Sequence, residues 1–390
     1  METKHIIYKS FNNKNKQLNK KKLNKFLNFK ILFQKYPLLK SLTNNYNYSF
    51  KKKFLLNFKK YDEFNLVGMG GSILGAQAIY DFLNHKIKKK FFFYNNLQSI
   101  KITKSNKKHL NIIISKSGNT LETLSNLNLI LSKQKRNKNL IITENKNNLL
   151  RAIANKLKSD VIDHKNYIGG RYSVLSEVGM VPAELMGLNE KKFKRLNYLI
   201  KNKTFINFLI KNVSSIHSNI IKGKKNCVIL NYDEKLNNFL KWYQQLSAES
   251  LGKKGKGIFP IISTMPKDNH SLLQLYLDGP KNNFFSFFFT RERSRLKFNN
   301  TYLINGLEHL KKNSLNQVLY AQKKATQNVF NKKKLSFRSF EIINKNEETL
   351  GELFTFFILE TLMLSSILNV NPINQPSVEL IKIETKKILK

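Results

Sequence analysis

The stretch Leu110-Asn111-Ile112-Ile113-Ile114-Ser115-Lys116-Ser117-Gly118-Asn119-Thr120-Leu121 reads as a strand, a polar turn and the start of a helix. Leu110 to Ile114 is the short apolar run of a strand covered on both faces. Three hydroxyls, Lys116 and Gly118 mark the turn, and helical spacing then runs from Leu121 to Leu131. The same unit occurs on either side. Phe64 to Val67 leads into Gly68-Met69-Gly70-Gly71-Ser72 and a helical pattern through Ala76, Ile79 and Leu83. Leu140 to Thr143 precedes a helix through Leu150 and Ile153. Strands alternating with helices at this spacing predict an α/β fold with a parallel sheet flanked by helices.

Outward from this core the pattern weakens and then recurs. Residues 1–60 are rich in Lys and Asn, with Leu18, Leu23, Phe26, Leu27 and Phe29 at helical spacing. They read as amphipathic helices wrapping the first domain. Glu190 to His217 reads as a helical bridge. A second round then follows: strands at Cys227–Asn231, Ile258–Ser263, Phe284–Thr290 and Phe337–Ile343, with helices at Leu236–Ser247 and Leu307–Val329. Glu348 to Leu368 reads as a buried helix, because Glu352 and Glu360 interrupt it and carboxylates are costly at a bilayer centre. Pro372 and Pro376 precede a last helix. The expected division is residues 1–60, 61–200, 201–370 and a C-terminal arm at 371–390.

The chain has 390 residues, 41% of them hydrophobic, which suits two domains. Its 69 Lys and Arg against 25 Asp and Glu give a net charge of +44. Such a charge attracts anionic substrates and, at low salt, nucleic acid. The excess is nearly all Lys, and Lys, Asn, Ile and Phe share A/T-rich codons, so mutational bias also fits. The one cysteine, Cys227, excludes an intrachain disulfide and a Cys metal cluster. The seven His residues show no metal-ligand spacing. A polar N-terminus without a long apolar core makes the cytoplasm the default.

Ligands of an open parallel sheet gather beyond the carboxyl ends of its strands. The turn Ser115–Thr120 suits a phosphate, since a helix N-terminus offers free N–H groups and a positive dipole end. Helix capping by Ser117 or Thr120, with Glu122 in the first turn, explains the same residues. Spacing alone does not separate the two. The P-loop pattern G-x-x-x-x-G-K-S/T is absent, and Gly68 to Ser72 lacks the dinucleotide spacing. Three further segments stand out: Gly169-Gly170-Arg171-Tyr172-Ser173, Ala248-Glu249-Ser250-Leu251-Gly252-Lys253 and Asp268-Asn269-His270-Ser271. Glu249 ends a helix, where a carboxylate is unfavourable. It is therefore either solvated or held for a purpose.

These segments resemble, in order, the phosphoglucose isomerase family. The pieces are GMGGS at 68–72, SKSGNTLET at 115–123, GGRYSVLSEVGMVPAEL at 169–185, AESLGKKGKG at 248–257, DNHSLLQLYLDGP at 268–280 and QPSVELIK at 375–382. The resemblance runs from about Glu63 to the C-terminus and is strong in the motifs and weak between them. Residues 1–60 carry no motif.

The resemblance implies two sugar-isomerase-type α/β domains and an aldose–ketose isomerase without metal or cofactor. It assigns Glu249 as the base that moves a proton between C2 and C1, and Arg171 as the fixed cation beside the enediolate. A carboxylate suits that transfer, and an arginine keeps its proton throughout. His270 and Lys382 match the residues that open the sugar ring, with His270 supplied by the neighbouring subunit of a homodimer. Ser115, Lys116, Ser117 and Thr120 match the phosphate turn. Gly71, Ser72 and Gln375 match further substrate contacts, and Glu122 matches a residue that orients Arg171. Asn119 stands where Thr is common, and Ile261 to Asn269 departs from the pattern. A regulatory sugar-phosphate binder needs the turn but not Glu249, Arg171, His270 and Lys382 together. Mannose 6-phosphate as a second substrate stays open.

Overall fold

The computed structural model describes residues 1–12, 29–97, 109–133, 137–292, 297–311 and 313–389. Among the described residues, ten strands form two five-stranded sheets. In chain order they are β1 (Ile6–Lys9), β2 (Glu63–Gly68), β3 (Lys90–Tyr94), β4 (His109–Ile114), β5 (Lys138–Glu144), β6 (Asp160–His164), β7 (Asn226–Asn231), β8 (Phe259–Thr264), β9 (Asn283–Thr290) and β10 (Phe337–Ile342). The first sheet has the order β3-β2-β4-β5-β6 and is parallel throughout. The second has the order β8-β7-β9-β10-β1 and is parallel except for β1, which runs antiparallel to β10.

The helices that matter for the site are α1 (Leu74–Phe82), α2 (Leu121–Lys133), α3 (Glu177–Leu185), α4 (Lys203–Ile221), α5 (Asn237–Leu251), α6 (Leu315–Lys332), α7 (Glu347–Leu368) and α8 (Ser377–Ile388). β2, β4 and β10 are buried along their whole length, and β5, β7 and β9 at every residue but the first, as both-face coverage requires. The first sheet nevertheless carries a buried polar row. Asn65, Asn111 and Asn139 stand in register on β2, β4 and β5. Asn65 Nδ2 donates to Asn111 Oδ1 at 2.8 Å, and Asn111 Nδ2 to Asn139 Oδ1 at 2.9 Å. The amides satisfy one another, so their burial is tolerable.

The structure corrects three expectations. Residues 6–9 are a strand, not a helix, and they extend the second sheet rather than wrap the first domain: Ile6 lies opposite Ile342. Leu18, Leu23, Phe26 and Leu27 lie outside the described residues, while Phe29 opens a short helix to Lys35. The helix expected from Leu307 starts only at Leu315, because Ser314 and Gln317 form a reciprocal cap there. The bridge at 190–217 is broken into a 3-10 turn at Glu190–Phe193, a short helix at Leu196–Leu199 and α4.

Among the described helices, α7 is long and apolar enough to cross a membrane, but nearly all of it is buried inside the fold. Its two carboxylates have partners. Glu352 accepts from Thr3 Oγ1 at 2.8 Å and Arg195 Nη2 at 3.0 Å. Glu360 accepts from both terminal nitrogens of the fully buried Arg338 and from Asn212 at 3.0 Å. Buried charges persist when paired and hydrogen-bonded in this way. α7 is thus a core helix, packed on α5 and on the second sheet through Phe356 and Phe357. α8, by contrast, buries no residue.

Candidate active site

Gly68 ends β2 opposite Ile114, which ends β4. The turns 68–72 and 115–120 therefore leave adjacent strands side by side. Gly71 lets a third segment join them. A Cβ on Gly71 would lie 2.2 Å from the carbonyl carbon of Gly170 and 2.5 Å from Arg171 N. Only glycine admits that approach.

Within the turn 115–120, Ser115 Oγ and Thr120 Oγ1 share a hydrogen bond at 3.0 Å. Gly118, at φ +68°, directs its N–H to Ser115 Oγ at 3.2 Å. A Cβ there would strike Asn148. Ser117 is exposed at the turn's tip. Lys116 Nζ donates to Asn166 O at 2.8 Å and lies 3.4 Å from Glu144. Asn119 Oδ1 accepts from Leu149 N at 3.0 Å, so it ties the turn to the start of the helix Leu149–Lys156 that follows β5. The N-terminus of α2 opens behind these hydroxyls.

Glu249 lies in the last turn of α5 and is neither fully solvated nor buried. Its Oε2 accepts from Arg171 Nη1 at 2.8 Å, and its Oε1 from Gln245 Nε2 at 2.8 Å. Lys253 Nζ donates to Glu249 O at 2.5 Å and Ser250 O at 3.0 Å, closing the helix end. These cations offset the helix dipole that opposes a carboxylate at this end. Burial and the nearby Arg171 charge push Lys253 down to about 8.

Arg171 is buried, and its donors are all directed. Nε donates to Ser250 Oγ at 2.9 Å. Nη1 donates to Glu249 and to Gln375 Oε1 at 2.8 Å. Nη2 donates to Pro372 O at 2.5 Å and Asn374 O at 3.2 Å. Glu122 shares no hydrogen bond or ion pair with Arg171 among the described residues, so the guanidinium is oriented by these groups instead. Among the described residues no group of three or more His, Cys, Asp or Glu side chains is placed to hold a metal ion.

The arrangement joins a hydroxyl-rich turn, a carboxylate with two bonded oxygens and a fixed guanidinium. The phosphoglucose isomerase family matches residues 55–258, which include all three. The chain belongs to the phosphoglucose isomerase family. It is 31% identical over 357 residues to the glucose-6-phosphate isomerase of Methanocaldococcus jannaschii, covering 85% of this chain and 86% of that protein. Its fold is similar to a hypothetical protein of Thermus thermophilus (TM-score 0.82, 24% identity, 94% of both chains). It is also similar to a glucose-6-phosphate isomerase of Chlamydia trachomatis (TM-score 0.68, 20% identity, 87% of this chain and 72% of that one).

Two of the residues matched to this phosphoglucose isomerase pattern stand apart within one chain. Because α5 returns antiparallel to the strands, Glu249 lies toward the starting ends of β7 and β8. Gln244 Nε2, one turn earlier, donates to Pro260 O near the start of β8. His270 follows the far end of β8, about one strand length away, roughly 20 Å. It is exposed, on a turn fixed by Asp268, which accepts from Ser263 Oγ and Thr264 N, both at 2.8 Å. Lys382 is exposed on α8, and its Nζ pairs with Glu379 at 2.6 Å. Gly71, Ser72, the turn 115–120, Arg171, Glu249 and Gln375 lie on one side of the fold, joined through adjacent strand ends, the Gly71–Gly170 approach and the Arg171 hydrogen bonds. Three residues without an assigned role also enter: Gln245, Ser250 and Tyr172. Gln245 was detectable, since a residue four before a helical carboxylate shares its face.

Proposed function

We propose that the chain interconverts glucose 6-phosphate and fructose 6-phosphate as a cytoplasmic homodimer, with Glu249 as the proton carrier. The observation that carries this reading is the Glu249 carboxylate held by Arg171 and Gln245, each at 2.8 Å. The substrate phosphate sits on Ser115, Ser117, Thr120 and the N-terminus of α2, with Lys116 and Ser72 beside it. Its sugar end then points across Gly71 toward Glu249.

The ring opens first. His270 from the second copy and Lys382 move the proton between the ring oxygen and O1. Glu249 then removes the C2 proton, and the electron pair moves into a C1–C2 double bond. The resulting enediolate oxygen lies against Arg171, whose positive charge is permanent. Glu249 returns the proton to C1 while the proton of the C2 hydroxyl passes to the C1 oxygen, which leaves a hydroxyl on C1 and the C2 oxygen as the ketone. One carboxylate serves both carbons because they are adjacent, so no metal is invoked. The placement of His270 a strand length from Glu249 supports a shared site between two copies.

The test is a coupled assay with chelator present: fructose 6-phosphate in, glucose 6-phosphate read through its dehydrogenase. Wild type should turn over, and Glu249→Gln should lose roughly 10²–10⁴-fold in kcat. A folded, dimeric wild type without turnover would favour a regulatory sugar-phosphate binder. Equal rates in both proteins would remove Glu249 as the base.

A further inference from the structure

Tyr172 has no part in the chemistry above, yet its phenol is fully buried beside the site. Its Oη lies 2.8 Å from Ser250 Oγ and 3.1 Å from Pro372 O. The proton arrangement follows from who must donate. Arg171 Nε only donates, so Ser250 Oγ accepts from it. Pro372 O only accepts, so Tyr172 O–H donates to it. The Ser250 proton then goes to Tyr172 Oη. Arg171 Nη2 also donates to Pro372 O, which closes a ring: Nε to Ser250, Ser250 to Tyr172, Tyr172 to Pro372, and Nη2 to Pro372.

This ring grips one edge of the guanidinium. The opposite nitrogen, Nη1, is left facing Glu249 and Gln375. Three distant pieces of chain meet in it: the 3-10 turn Gly170–Leu175, the last turn of α5 and the segment after α7. Trp242 Nε1 adds a bond to Arg171 O at 3.1 Å, fixing the backbone as well. A planar cation held on one edge keeps its free edge in one direction, and a misplacement of about 1 Å can cost on the order of 10²-fold in rate.

We propose that Tyr172 and Ser250 are positioning residues that aim Arg171 at the reacting oxygen; the proposal rests on the isomerase reading. Burial raises the Tyr172 phenol above its ordinary range, so it remains a donor across the working pH range. The ring also holds Pro372, and with it the approach of Gln375 to the site.

The experiment measures kcat and KM for fructose 6-phosphate in wild type, Tyr172→Phe, Ser250→Ala and the double variant, well below each melting temperature. Each single variant should lose roughly 10-fold or more in kcat, with KM within about two-fold. Because both act through one ring, the double variant should be little worse than the weaker single variant. Should Tyr172→Phe not fold, Ser250→Ala alone tests the ring, since it removes a single oxygen. Lower melting temperatures with unchanged kcat would overturn the proposal, as would losses that simply multiply. An inactive wild type would instead sink the isomerase reading, and this proposal with it.

Discussion

The two sheets share one strand order and differ in what they carry. β3-β2-β4-β5 corresponds position by position to β8-β7-β9-β10, while the fifth strand is the parallel β6 in one sheet and the antiparallel β1 in the other. In the first sheet the turns after the two central strands are the glycine run 68–72 and the hydroxyl turn 115–120. In the second, the turn after β7 is Tyr232-Asp233-Glu234-Lys235, with no glycine. Asp233 there caps a 3-10 turn by accepting from Lys235 N at 2.9 Å. The first half therefore carries the glycine and hydroxyl turns that the proposed function assigns to the phosphate. The second half supplies a helix whose far end presents Glu249. Repeating a strand order does not repeat the turn chemistry that follows it.

The largest expected effect lies in the second core. Glu360→Leu removes the partner of Arg338 and leaves a buried charge unpaired. It should cost roughly 3–5 kcal/mol in urea unfolding. A loss below about 1 kcal/mol would mean that the ion pair is dispensable. Asn111→Leu in the first sheet removes the acceptor of Asn65 Nδ2 and the donor to Asn139 Oδ1, and should cost about 1–3 kcal/mol. The two values together measure how differently the sheets carry buried polarity.

Gly71→Ala tests the asymmetry of the turns. The new Cβ cannot fit against Gly170, so kcat/KM should fall roughly 10²-fold, about 2.7 kcal/mol of transition-state binding. Lys235→Ala, at the corresponding turn of the second sheet, should change kcat/KM less than about two-fold, in line with ordinary surface substitutions. Similar effects at both positions would erase the distinction between the halves.

The smallest effect is pH-linked. Burial lowers His164, at the end of β6, to about 4 from an ordinary value of 6.5. The unfolded chain then binds a proton that the folded chain does not between those values. Stability is fully present above about 6.5 and is lost as pH falls toward 4. His164→Asn should flatten that slope by an amount of order 1–2 kcal/mol, read by urea midpoints at pH 7 and 4.5.

Much of this was legible in the chain. Apolar runs followed by glycine or hydroxyl turns marked β2, β4 and β5, and the motifs marked Glu249 and Arg171. β1 was not, because four residues gain their identity only by pairing with β10, more than 300 residues away. β3 and β6 were missed as short edge strands whose residues are only partly buried, which blurs the pattern. The Asn65-Asn111-Asn139 row and the Tyr172–Ser250 ring depend on register and tertiary contact, which spacing along one segment does not encode. Glu122 misled in the opposite sense: a motif position suggested contact with Arg171, and other acceptors took every donor.

The central claim is that each site takes Glu249 from one copy and His270 from another. Subunits carrying Glu249→Gln and subunits carrying His270→Ala, each inactive alone, would be mixed, unfolded and refolded together. Half the dimers are then mixed, and one of their two sites is intact, so the account predicts about one quarter of wild-type activity. No recovered activity, from mixed dimers verified by mass, would contradict it.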